Sequence, residues 1–121
     1  MLRQTARRFF EDEVAPHAER FRRQHHVDRE VWEKAGELGL LCMSIPEAYG
    51  GQGATFAHEV VVMEEQARIC DTTFGFIPGA VNGPAFFHGT ASHEQLLRWM
   101  PDIAAGKKML SVCITEPDAG T

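Results

Sequence analysis

The chain has 121 residues and a formal net charge of −5, with 44% hydrophobic and 24% charged residues. That length and balance fit one small globular domain, and the acidic excess argues against a nucleic-acid surface, which needs a basic footprint. No apolar run approaches the ~18 residues of a membrane span, and the basic start, Met1 to Arg8, meets Glu11, Asp12 and Glu13 too soon for a transit or signal peptide.

Apolar residues at Leu2, Ala6, Phe9, Phe10, Val14, Ala18 and Phe21 predict a first helix, which Pro16 should kink. The stretch Arg20, Arg22, Arg23, His25 and His26 reads as a solvated helix end, favourable to cations. Asp28 is the expected N-cap of a second helix to about Leu38, with Val31, Trp32, Ala35 and Leu38 as its stripe and Glu30 and Lys34 as an i,i+4 pair. Gly39 suits the C-cap, with Leu40 packing back over the last turn. Three glycines between Gly50 and Gly53 exclude a helix there.

A third helix is expected from Phe56 to Ile69, capped by Thr55, with Phe56, Val60, Met63, Ala67 and Cys70 on its apolar face. Glu64 and Arg68 form an i,i+4 pair on another face, and Glu64 with Glu65 reads as solvated. Asp71 or Thr72 should open a fourth helical segment to about His88, in which the spacing of Gly75, Gly79 and Gly83 puts them on one face. So many breakers, with Pro78 and Pro84 among them, point to a close approach, either of a neighbouring helix or of whatever fills a cavity beside them. Ser92 and Gln95 form a capping box for a fifth helix, with Leu96, Trp99, Met100 and Ile103 inward, Pro101 dividing it and Gly106 ending it; Lys107 and Lys108 read as solvated.

The last thirteen residues, Met109 to Thr121, read as a short β-strand through Val112, Cys113 and Ile114. Pro117 stops the strand, and Asp118 and Gly120 supply a turn. The exit carries a hydroxyl (Thr115), a carboxylate (Glu116) and an Ala-Gly-Thr arc whose backbone N–H groups can face an anion. The expected architecture is all-α, an orthogonal bundle of about five helices over residues 1–108, with one C-terminal strand opening at 109–121. The six histidines show no metal spacing. The three cysteines, Cys42, Cys70 and Cys113, suit buried thiols in a reducing compartment.

The run Ile114-Thr-Glu-Pro-Asp-Ala-Gly-Thr121 resembles the flavin-contacting signature of the acyl-CoA dehydrogenases, usually Val-Thr-Glu-Pro-Gly-Ala-Gly-Ser. Asp118 replaces the usual Gly and Thr121 the usual Ser. Trp32 to Leu41 followed by Pro46-Glu-Ala-Tyr-Gly-Gly-Gln-Gly53 is similar to the family's helix-and-loop block, in the expected order and spacing. The resemblance implies FAD-dependent oxidation of an acyl-CoA thioester to the 2,3-enoyl-CoA, an electron-transfer flavoprotein as acceptor and a tetrameric homo-oligomer. It places the protein in the bacterial cytoplasm, or in the mitochondrial matrix of a eukaryote.

It further implies that Val112, Ile114 and Thr115 donate towards the flavin, while Gly120 and Thr121 serve the pyrophosphate or the CoA side of the substrate. Phe74, Gly75, Pro78 and Gly79 would border a channel for the acyl tail, roomy enough for a long one. The family's catalytic carboxylate lies in a C-terminal helical domain without counterpart here, so the chain is expected to be part of a longer enzyme and inactive alone. Two other readings compete: another flavoenzyme of the superfamily, of nitroalkane oxidase or flavin monooxygenase type, and a free-standing helical interaction module. The sequence following Thr121 would separate them.

Overall fold

A computed structural model describes residues 1–119. Its helices are α1 (Leu2–Phe9), α2 (Ala18–Gln24), α3 (Arg29–Glu37), α4 (Phe56–Arg68), α5 (Gly83–Thr90) and α6 (His93–Ala104). α1 and α2 form one bent rod, joined by a π-helical turn over Phe10–Val14 and a 3-10 turn over Ala15–His17. The bend falls at Pro16, which lacks the N–H that a continuous α-helix would use. The rods therefore number five, in an all-α bundle.

One buried cluster unites them. Phe9, Phe10, Val14 and Phe21 from the first rod meet Trp32 and Ala35 of α3, Val62 of α4, Phe74 and Phe76, and Leu96, Met100 and Ile103 of α6. Phe74 is its hub: its ring lies edge-on to Phe9 (5.3 Å) and Phe10 (5.9 Å) and stacks on Trp32 at 4.1 Å. Such aromatic pairs are worth about 0.5–1.5 kcal/mol beyond the area they bury.

Helix ends follow local chemistry. Gly39 takes φ 67° after α3, and the Leu40 N–H returns to the Ala35 carbonyl at 2.9 Å with its side chain buried. Thr55 caps α4 in a box with His58, and Ser92 caps α6 in a box with Gln95. Asp28 holds the N-cap position of α3, but its carboxylate is turned to Gln24 and Arg20 instead of the helix amides.

Other expectations are overturned. α4 does not bury Phe56, Val60, Ala67 and Cys70; it buries Glu59, Val62, Glu65 and Gln66. Polar partners on neighbouring elements make this face the inner one: Glu65 receives the guanidinium groups of Arg3 and Arg7 from α1, and Glu59 accepts the Ser44 backbone N–H. Glu64 pairs with Arg3 and Arg68 with Glu65, in place of a Glu64–Arg68 pair. Lys34 reaches Glu13 across the bundle rather than Glu30.

Pro101 does not divide α6, which runs unbroken from His93 to Ala104; the carbonyl that a residue 101 N–H would have bonded belongs to Leu97, an exposed residue. Trp99 is half-exposed, with the cations of Arg98 and Lys108 over its ring. Lys108 also pairs with Asp102. The helix through Pro84 begins only after a Thr72–Gly75 turn and opens in π register over Ile77–Asn82. The wider π turn relieves the clash a proline ring makes with the carbonyl four residues back.

Past Lys108 the chain is extended, with no strand partner among the described residues. Among the described residues of this segment the only β-type pairing is an isolated bridge between Glu116 and Ala119. The expected strand is thus not formed here, since a strand requires a neighbour to accept its ladder bonds. Among the described residues no helix is long and apolar enough to cross a membrane.

Candidate functional site: a groove between the fourth rod and the extended segment

The extended segment leaves α6 and runs back across the rod that holds α5, and small residues let it come close. A Cβ at Gly83 would stand 3.1 Å from Leu110 Cβ, and one at Gly79 would stand 3.0 Å from the Trp32 ring and 3.9 Å from the Met109 methyl. Gly75 is not on that helix face; it closes the preceding turn at φ 62°. Close packing therefore explains Gly79 and Gly83, and a left-handed backbone explains Gly75.

A groove of about 320 Å³ remains between the two elements, lined by Phe74, Gly75, Pro78 and Gly79 on one side and by Met109, Leu110, Ser111 and Val112 on the other, with Trp32 at its base. The four residues expected at an acyl channel thus lie in one groove with Val112. Ile114 and Thr115 lie beyond it on exposed backbone. Gly120 and Thr121 fall outside the described residues.

None of the side chains lining the groove is ionisable. It can hold an apolar chain by burial and dispersion, and it offers no acid or base for proton transfer. Its walls differ in mobility. Trp32 is 8% exposed and fixed by Phe74, whereas Met109 is 48% exposed on a flexible thioether.

Beyond the groove, the turn Glu116–Ala119 is closed by its own backbone, Glu116 N–H to the Ala119 carbonyl at 2.8 Å and the reverse bond at 3.2 Å. The Thr115 hydroxyl is not what closes it. Cys113 is exposed, as is Cys70; of the three thiols only Cys42 is buried, which pushes its pKa up to about 12, with the nearby Glu59 carboxylate adding to the effect. The sequence reading missed the roles of Trp32, Met109, Leu110 and Ser111. Trp32 looked like any stripe residue, and no local pattern announces that Met109 and Leu110 fold back onto glycines.

A family model described as "Acyl-CoA dehydrogenase, N-terminal domain" matches residues 1–107. The chain is 36% identical over its whole length to the long-chain specific acyl-CoA dehydrogenase of Sus scrofa mitochondria, of which it spans 28%. The fold superposes on an acyl-CoA dehydrogenase of Geobacillus kaustophilus with a TM-score of 0.85 and 31% identity, covering 99% of this chain and 32% of that one. An acyl-CoA dehydrogenase of Bacillus anthracis, solved in complex with FAD, gives a TM-score of 0.73 and 30% identity over 99% of this chain and 21% of its own. Matched along nearly all its length in both sequence and fold, the chain belongs to the acyl-CoA dehydrogenase family, to the part that forms the N-terminal helical domain.

Proposed function

We propose that this chain supplies the acyl-tail wall and one edge of the flavin site of an FAD-dependent acyl-CoA dehydrogenase, oxidising an acyl-CoA, of long-chain type, to the 2,3-enoyl-CoA. The observation that carries this reading is the apolar groove, in which Phe74, Gly75, Pro78 and Gly79 face the segment that leads into the Thr115-Glu116-Pro117 motif. In this reading the groove takes the alkyl tail. Its burial of methylenes supplies binding energy at about 0.8 kcal/mol each.

The residues beside it fit an edge of the cofactor. Val112 to Thr115 are extended and exposed, with backbone N–H groups free of a ladder, and the Thr115 hydroxyl stands next to them. Bound FAD would supply the acceptor for the two electrons of the oxidation. The donors of residues 112–115 would hold the pyrimidine edge and favour negative charge there, which costs less when donors are already in place. Gly120 and Thr121 are proposed for the pyrophosphate or the CoA side. The carboxylate that removes the α-proton is proposed to lie outside residues 1–121, as do the surfaces of a tetramer and of an electron-transfer flavoprotein contact, so the isolated chain is expected to be inactive. The proposed setting is the bacterial cytoplasm or the mitochondrial matrix.

Gly79→Ala in the full-length enzyme tests the reading. Its Cβ would press on Trp32 and narrow the groove by part of a methylene; a leucine there would displace the indole and confuse packing with specificity. The expected result is a several-fold loss in kcat/KM for palmitoyl-CoA, against a smaller loss for butyryl-CoA. Equal losses at both lengths would remove the groove from the acyl path.

A further inference from the structure

We infer that Met109 is a movable partition between the groove and a second cavity, and that its side chain sets the longest acyl tail the domain admits. The inference rests on the proposed acyl path. Two open cavities of about 320 and 520 Å³ adjoin, and the residues lining both are Trp32 and Met109. The larger is bounded further by Val27, Thr73, His26 and Arg29.

The shared wall has one rigid half and one mobile half. The Trp32 ring is stacked on the buried Phe74, and its backbone is pressed by Gly106, where a Cβ would stand 2.1 Å from the Trp32 carbonyl oxygen. Met109 has no such clamp. It is half-exposed, unbranched, and its methyl lies across the face of Gly79. Rotation about its side-chain torsions would join the two spaces along Trp32, and the apolar contacts the thioether gives up set a cost that a long tail must offset.

An alkyl chain leaving the groove would then slide over the indole between Val27 and Thr73. It would have to end before Arg29, whose guanidinium is fixed on the Lys107 carbonyl, because a methyl terminus gains nothing from desolvating a cation. The occupant of the second cavity is therefore the distal methylenes of a long, unsubstituted acyl chain.

The test is calorimetric binding of 3-thia-acyl-CoA probes, which carry sulfur at the position that would lose hydride, to the full-length holoenzyme. Met109→Ala opens the partition. It is expected to tighten 3-thia-palmitoyl-CoA relative to 3-thia-octanoyl-CoA by about tenfold, because the long tail no longer has to displace the thioether, a cost comparable to about two buried methylenes. Met109→Trp closes it and should reverse the preference by a similar factor. Met109→Leu, of similar volume, should keep the wild-type ratio, and melting curves establish that all three variants are folded. A ratio that stays constant across the alanine and tryptophan variants overturns the partition. If Gly79→Ala still discriminates chain length in that case, the acyl path stands and only Met109 loses its role; if neither position discriminates, both readings fall.

Discussion

Glu65 is the residue where charge and burial meet most sharply. Its side chain is fully buried, yet it accepts from Arg7 at 2.9 Å and from Arg3 at 2.9 Å, with Arg68 at 3.5 Å. Arg7 first, then Arg3, pull its pKa down to about 2 from the ordinary 4.5, against the desolvation that would raise it. A depressed carboxylate contributes stability that is complete above its unfolded pKa and is lost as the pH falls through the folded value. The domain should therefore lose melting temperature between about pH 4.5 and pH 2. Glu65→Gln should melt about 5 °C lower at neutral pH and show a shallower acid slope; a wild-type slope in the variant would locate the acid sensitivity elsewhere. The sequence could not show this. Glu65 sits beside Glu64 with nothing local to mark one as buried, and the arginines that satisfy it lie on α1, 58 and 62 residues away.

At the scale of elements, boundaries were legible and faces were less so. Capping boxes and C-terminal glycines act within a few residues, so Ser92 with Gln95, Gly39 and Gly106 announce helix ends directly. The inner face of α4 is set by what α1 and the Cys42–Ile45 turn bring to it, and its carboxylates invert the expected apolar stripe. The groove has the same character. Phe74, Gly75, Pro78 and Gly79 could be grouped by the family resemblance alone, but its floor needed Trp32 from α3 and its far wall needed Met109 and Leu110. What fixes that floor is the junction of α3 with the end of α6. Gly36 meets the Ala105 backbone, and Gly106, at φ 72°, meets the Trp32 backbone. Gly106→Ala should thus cost about 2–4 kcal/mol, combining overpacking with a left-handed alanine. Gly89→Ala in α5, with nothing within 4 Å, should be neutral or stabilising by about 0.5–1 kcal/mol. Urea denaturation of the two variants compares them directly, and a Gly106→Ala midpoint equal to wild type would mean that the two helices can separate without loss.

For the molecule as a whole, the question is what this much of the family fold can do by itself. The chain spans 28% of the length of its Sus scrofa relative. It carries the groove proposed for the acyl tail, while the residues proposed to face the flavin lie on one open, extended strip, Val112 to Thr115. Tight small-molecule sites bury 70–90% of their ligand, and a single strip of donors leaves most of an isoalloxazine in water. Hydrogen bonds exchanged with solvent yield only about 0.5–1.5 kcal/mol each, too little to offset the cost of immobilising a dinucleotide. The 121-residue chain should accordingly bind FAD more weakly than about 100 μM, whereas the full-length enzyme should retain it through gel filtration. Titration of the chain followed by flavin fluorescence, with a melting curve to show that it is folded, makes the comparison. Stoichiometric micromolar binding to the chain would mean that residues 1–121 enclose the cofactor by themselves, and would move the flavin site from the strip at 112–115 to the helical bundle.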